Sequence, residues 1–105
     1  MIASDTGPVG DASVRLCHVV AGGMPVTGRL TGAPFLHCCT EAQLDFVLAR
    51  HFAGITSLAV IRFDPTEADG WVEWVRSEPD MEPFPHLHGA IPMANATVTM
   101  VSGDQ

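Results

Sequence analysis

The segment FLHCCTEAQ, residues 35–43, predicts a short strand that leads directly into a helix. Alternation along the strand places His37 and Cys39 on one face. Thr40 and Gln43 have the spacing of a capping box, in which each side chain bonds the other residue's backbone N–H at the start of a helix. A histidine therefore precedes a strand-to-helix junction, a position where folds often present functional groups.

Outward from this segment, the apolar pattern predicts several strands and one main helix. The helix, over residues 41–52, has apolar positions spaced for one buried stripe. Strands are expected over residues 14–20, 57–63, 71–76 and 97–101, with a loop over 21–34 that contains a short strand at 26–30, and a proline-rich loop over 79–92. This order predicts an α+β fold, a small mixed, mostly antiparallel sheet with one main helix. Residues 1–105 are expected to form a single domain, with its core at 14–101 and a loose N-terminal lead-in at 1–13.

Charge and cysteine content exclude several classes of function. The sequence has five arginines and no lysine against twelve acidic residues, a net charge of −7. This balance repels phosphate backbones and anionic lipid, so neither nucleic acid nor a membrane is expected as a partner. Three cysteines, with Cys38 and Cys39 adjacent, do not predict a disulfide framework. Buried free thiols and a cytoplasmic location are the expectation.

Histidines supply the candidate functional groups. His18 shares a strand face with apolar residues, and extended backbone in FPHLHG, residues 84–89, places His86 and His88 on one side. Three alternatives stay open for such a set. In the first, the histidines only satisfy backbone groups in a small core. In the second, Cys39 is a nucleophile beside His37, although residues two apart on a strand rarely form a dyad. The third is a zinc site, whose ligand types are present without a compact zinc spacing; its candidates are His18, His37, Cys39, His86 and His88.

Three segments together carry a resemblance to a known family. They are Leu16-Cys17-His18, then residues 35–40 with Gln43, then residues 84–89 preceded by Glu78. The combination resembles the family catalogued as domain of unknown function 952, over residues 15–101. That family is similar in fold to the ADP-ribosyltransferases, which bind NAD in a cleft of a split sheet.

The resemblance implies roles for individual residues. His18 would contact the nicotinamide ribose through a donating neutral imidazole, His37 would lie close to it, and His86 and His88 would complete a histidine-lined cofactor site. Glu78, together with His37, would act catalytically by offsetting positive charge on the ribosyl group.

Three departures from the family pattern bear on activity. They are Cys39 in place of serine, His88 in place of tyrosine, and the 21–34 loop in place of a helix. The predicted function is a cleft for NAD or a related nucleotide, with ADP-ribosyltransferase-like activity. The alternatives are a non-catalytic binding or structural module, or a Zn-binding site.

Overall fold

The computed structural model describes residues 15–22 and 28–101. The predicted lead-in, and the part of the predicted strand at 26–30 that precedes residue 28, lie outside these ranges. The helix is α1 (Leu44–His51), and short 3-10 turns cover Glu41–Gln43, Pro65–Glu67 and Met93–Asn95. The described strands are β1 (Leu16–Ala21), β2 (Arg29–Thr31), β3 (Leu36–His37), β4 (Cys39–Thr40), β5 (Leu58–Phe63), β6 (Asp69–Val75), β7 (Phe84–Pro92) and β8 (Thr97–Val101).

The strands form two antiparallel sheets instead of the single sheet that the sequence predicts. The first sheet has the order β4-β1-β5-β8. In the second sheet, β7 pairs with β6 along one edge and with β2 and β3 along the other. The chain crosses from the second sheet to the first at Cys38, whose backbone N–H donates to the Pro85 carbonyl at 3.0 Å. The α+β class and the antiparallel pairing are confirmed.

Apolar side chains fill two layers, one on each face of the first sheet. The layer between the sheets is built from Leu16, Ile61 and Phe63 of the first sheet and Leu36, Leu87 and Ile91 of the second. The layer under α1 contains Cys17, Cys39, Leu44 and Val60. The central strand β5 is therefore buried on both faces, as its nearly continuous apolar sequence predicts.

The capping box is confirmed, and it is connected to the second sheet. The Thr40 N–H donates to Gln43 Oε1 at 3.0 Å, and the Gln43 N–H donates to Thr40 Oγ1 at 3.2 Å. The Gln43 amide is buried and also donates to the Pro83 carbonyl at 2.9 Å. The start of the helical segment is thus held against the chain that enters β7.

The prediction of a loop over residues 79–92 is wrong for most of its length. Residues 84–92 form β7, a nine-residue strand at the centre of the second sheet. Proline excludes a helix, but its fixed φ is compatible with extended backbone. Pro85 lies opposite Trp74, and its carbonyl accepts the Cys38 N–H, so the missing N–H of Pro85 does not prevent pairing.

The strand that the sequence predicts over residues 71–76 begins earlier than expected. β6 starts at Asp69, two residues before the predicted start of the strand. There Gly70 lies directly opposite Gly89 of β7. Two facing glycines let the strands approach closely at this point, which the local sequence around either glycine does not indicate.

Candidate functional site

A cleft of about 650 Å³ is lined by residues from both sheets and from α1. It borders the part of β1 that follows Cys17, because the two-residue strand β4 pairs only with Leu16 and Cys17. Its lining includes Cys17, His18 and Val19 of β1, residues 37–39 at the crossover, Phe46, Val47, Arg50 and His51 of α1, and Val75, Glu78, Met81, Phe84 and His86.

His18 is fixed by the backbone of the crossover. Its Nδ1 lies 2.6 Å from the carbonyl oxygen of His37. Because a carbonyl only accepts, Nδ1 carries the hydrogen, and the neutral ring then has a lone pair at Nε2. Burial lowers the pKa of His18, although the His37 carbonyl acts in the opposite direction. His18 is therefore a neutral imidazole whose free nitrogen is a hydrogen-bond acceptor, whereas the family resemblance implies a donor at this position.

His37 and His86 face each other across paired strands and share an aromatic cluster with Phe35. The His37 and His86 ring centroids are 5.1 Å apart in an edge-to-face arrangement. Phe35 stacks on His86 with centroids 4.1 Å apart and rings 10° from parallel. Burial lowers the pKa of His86, and the neighbouring His37 lowers it further. His86 is thus held neutral, while the His37 side chain is exposed at the cleft.

His88 does not line the cleft and instead contacts Trp71 and Glu73 of β6 on the same sheet. Its ring stacks on Trp71 with centroids 4.4 Å apart, and its Nε2 lies 2.8 Å from Glu73 Oε1. The predicted histidine set therefore divides, with His18, His37 and His86 at the cleft and His88 beside it. Sequence reasoning did not select Trp71 and Glu73, because their contact with His88 depends on the β6–β7 register.

Glu78 lines the cleft from a turn that lies beyond the end of β6. β6 ends at Val75, and the Glu78 carbonyl accepts the Met81 N–H at 3.0 Å. The guanidinium of Arg76 donates to the Met81 carbonyl in the same turn. The exposed Glu78 is consequently placed at the cleft by tertiary structure.

Among the described residues, Arg50 is the arginine that lines the cleft. The Arg50 guanidinium carbon lies 5.9 Å from the centroid of the Phe46 ring. The other four arginines bond elsewhere: Arg15 to the Arg62 carbonyl, Arg29 to Asp69, Arg62 to Glu41 and Arg76 to Met81. Positive charge for an anionic ligand would therefore come from Arg50.

The geometry counts against the zinc and thiol alternatives. Within residues 15–22 and 28–101, no three His, Cys, Asp or Glu side chains are grouped so that they could hold a metal ion. Cys39 is buried under α1, whereas the His37 side chain is exposed, so the two do not form a nucleophile and base. Burial raises the pKa of Cys38 to about 12, which keeps that thiol protonated.

Acidification is expected to destabilise the fold through His18 and His86. Both have a folded-state pKa below the ordinary value of about 6.5, so the unfolded chain binds more protons there. Their contribution is present above pH 6.5 and is lost as the pH falls through the folded-state pKa values. Each histidine can contribute a slope of at most about 1.4 kcal/mol per pH unit. Urea unfolding at roughly pH 7.5 and roughly pH 5.5 measures the change, and an equal slope in His18→Gln would contradict the role of His18.

In the described part of the chain, none of the helices has the length and apolar character needed to cross a membrane.

Comparison with known proteins identifies a family without supplying an activity. Searches of curated proteins and of solved structures find no match. The family described as "Protein of unknown function (DUF952)" matches residues 21–99. This range includes His37, Glu78, His86 and His88, and it begins just after His18. The match covers most of the chain and confirms the predicted resemblance, so the protein belongs to the DUF952 family.

Proposed function

We propose that the cleft binds NAD or a related nucleotide, in the manner implied by the similarity of this family to the ADP-ribosyltransferases. The observation that carries the proposal is the contact between His18 Nδ1 and the His37 carbonyl. It holds an imidazole acceptor beside two further aromatic nitrogen rings, those of His37 and His86. A ribose hydroxyl is a suitable donor for the Nε2 lone pair of His18.

The size and lining of the cleft support a ligand of this class. About 650 Å³ is within the range of small-molecule and cofactor sites, which are mostly apolar with a few polar groups. Phe46, Val47 and Phe84 supply apolar surface, and the exposed His37 ring supplies an aromatic surface for a base or a nicotinamide. Arg50 is the lining cation that would meet a phosphate.

A second candidate function is ADP-ribosyl transfer at the same site, favoured by the position of Glu78. In such a reaction the bond between nicotinamide and ribose breaks, and positive charge develops on the ribosyl group. A carboxylate close to that carbon offsets the charge. Glu78 lines the cleft that His18 and His37 line, so one ligand can meet all three residues.

The proposal is tested by a two-dimensional NMR titration of the nitrogen-labelled protein with NAD, ADP-ribose and nicotinamide in separate experiments. We expect saturable shifts at the backbone amides of His18, His37 and His86, which line the cleft. A parallel titration with Zn²⁺ tests the metal alternative. If all three nucleotide-related ligands leave the spectrum unchanged, the cleft does not bind NAD.

Turnover is measured separately from binding. Release of nicotinamide from NAD, blocked in Glu78→Gln while NAD still binds, would support the transfer reaction. NAD binding without release of nicotinamide, even with candidate protein acceptors added, would favour a non-catalytic binding module.

A further inference from the structure

Two of the three cysteines lie directly opposite each other on paired strands. Cys17 of β1 pairs with Cys39 of β4 in the antiparallel register. Both belong to the apolar layer under α1, so their side chains point to the same face of the first sheet. Cys38 belongs to the other layer, between the two sheets. The adjacent Cys38 and Cys39 are therefore not equivalent, and only Cys39 faces Cys17.

The spacing of opposed residues suits a covalent bond. Cα atoms of directly opposed residues in antiparallel strands lie roughly 4.5–5.5 Å apart. Disulfides span Cα separations of roughly 4.4–6.8 Å, so the backbone of β1 and β4 needs no large movement to accept one. The three thiols are free in this structure. A hydrogen bond to Cys39 and burial raise the pKa of Cys17, so the Cys17 thiol is protonated at neutral pH and oxidises slowly.

We infer that Cys17 and Cys39 form a reversible cross-strand disulfide when the protein meets a hydroperoxide. Both residues line the cleft, which gives a molecule as small as hydrogen peroxide a route to them. This inference rests on the strand register and is independent of what ligand the cleft binds.

The reaction balances with hydrogen peroxide as the oxidant. One thiol sulfur takes an oxygen to become a sulfenic acid while the O–O bond breaks and one water leaves. The sulfur of the second thiol then attacks that sulfur, the S–O bond breaks, and a second water carries away the remaining proton. In total, two S–H bonds and the O–O bond break, and one S–S bond and two new O–H bonds form. The two O–H bonds of the peroxide are retained, so the products are the disulfide and two waters.

The bond would connect β1, which carries His18, to β4, which begins two residues after His37. Cys17 immediately precedes His18, and Cys39 follows His37 by two residues. A disulfide would close the chain from residue 17 to residue 39 into a ring that contains both histidines and the 21–34 segment. Ring closure restricts the unfolded chain, so the oxidised protein should be more stable than the reduced one.

The test is peptide mapping of the folded protein after treatment with hydrogen peroxide and alkylation of the remaining thiols. Trypsin cleaves after Arg15, Arg29 and Arg50, which places Cys17 in peptide 16–29 and the other two cysteines in peptide 30–50. We expect these peptides to be linked, and dithiothreitol to separate them. The link should persist in Cys38→Ser and disappear in Cys39→Ser. The midpoint of thermal unfolding should rise by roughly 5–15 °C on oxidation.

Three results would overturn the inference. The first is the absence of linked peptides from the folded protein. The second is a link that persists in Cys39→Ser, which would assign it to Cys38. The third is a linked protein that unfolds at a lower temperature than the reduced one, since the bond would then form only in unfolded molecules.

Discussion

Replacement of Gly70 by alanine is expected to destabilise the protein by roughly 3–5 kcal/mol, through steric overlap and backbone strain together. A Cβ at this position would lie 2.0 Å from the His88 carbonyl oxygen and 2.8 Å from the Gly89 Cα. Both are backbone atoms of a central strand, so neither can move aside without disrupting the β6–β7 pairing. Gly70 also has a φ of 108°, which side-chain-bearing residues rarely adopt.

Gly54→Ala is the matched control for this prediction. Gly54 has a φ of 83°, yet a Cβ there would meet nothing within 4 Å. Its replacement carries the backbone strain without the overlap and should cost about 1 kcal/mol. Urea unfolding followed by tryptophan fluorescence measures both variants, and Trp71 and Trp74 on β6 report on the strand affected. Equal costs for the two alanine variants would show that the close approach of β6 and β7 is not essential.

His37→Ala is expected to reduce the affinity for NAD at least tenfold, which corresponds to about 1.4 kcal/mol of binding free energy. The substitution removes an exposed ring from the cleft and leaves the backbone carbonyl that holds His18 Nδ1. It should cost little stability, because the His37 side chain is exposed and makes no hydrogen bond among those of the described residues. Isothermal titration calorimetry with NAD measures the affinity, and urea unfolding checks the fold.

His88→Ala provides the matched histidine control for binding. His88 lies on the same sheet, two residues beyond His86, but it contacts Trp71 and Glu73 and does not line the cleft. Its replacement should leave the affinity for NAD within a factor of about two. Equal losses of affinity in His37→Ala and His88→Ala would place the ligand over the aromatic side chains of the second sheet and not in the cleft.

Residues close together in the sequence established several local features of this protein. The capping box of Thr40 and Gln43 needs only its own segment, because both partners lie within one turn. The buried character of β5 follows from its apolar sequence alone. The shared side of His86 and His88 follows from the two-residue period of extended backbone, whatever sheet the strand joins.

Tertiary structure decided what these segments meet. The prolines in residues 84–92 led to the prediction of a loop, but this segment pairs on both edges and forms a central strand. The backbone carbonyls of the strand still accept hydrogen bonds from its neighbours, and these bonds offset the absent proline N–H groups. The turn after Val75, not strand extension, brings Glu78 to the cleft. The opposition of Gly70 with Gly89 and of Cys17 with Cys39 depends on register between segments far apart in the chain.

The sequence by itself thus determined the α+β class, the helix start and the candidate histidines. The division into two sheets, the cleft lined by both sheets and α1, and the separation of His88 from His18, His37 and His86 were decided by tertiary structure. The physical reason is that local backbone preference acts over a few residues. Strand register, in contrast, is selected by the packing of whole apolar faces against one another.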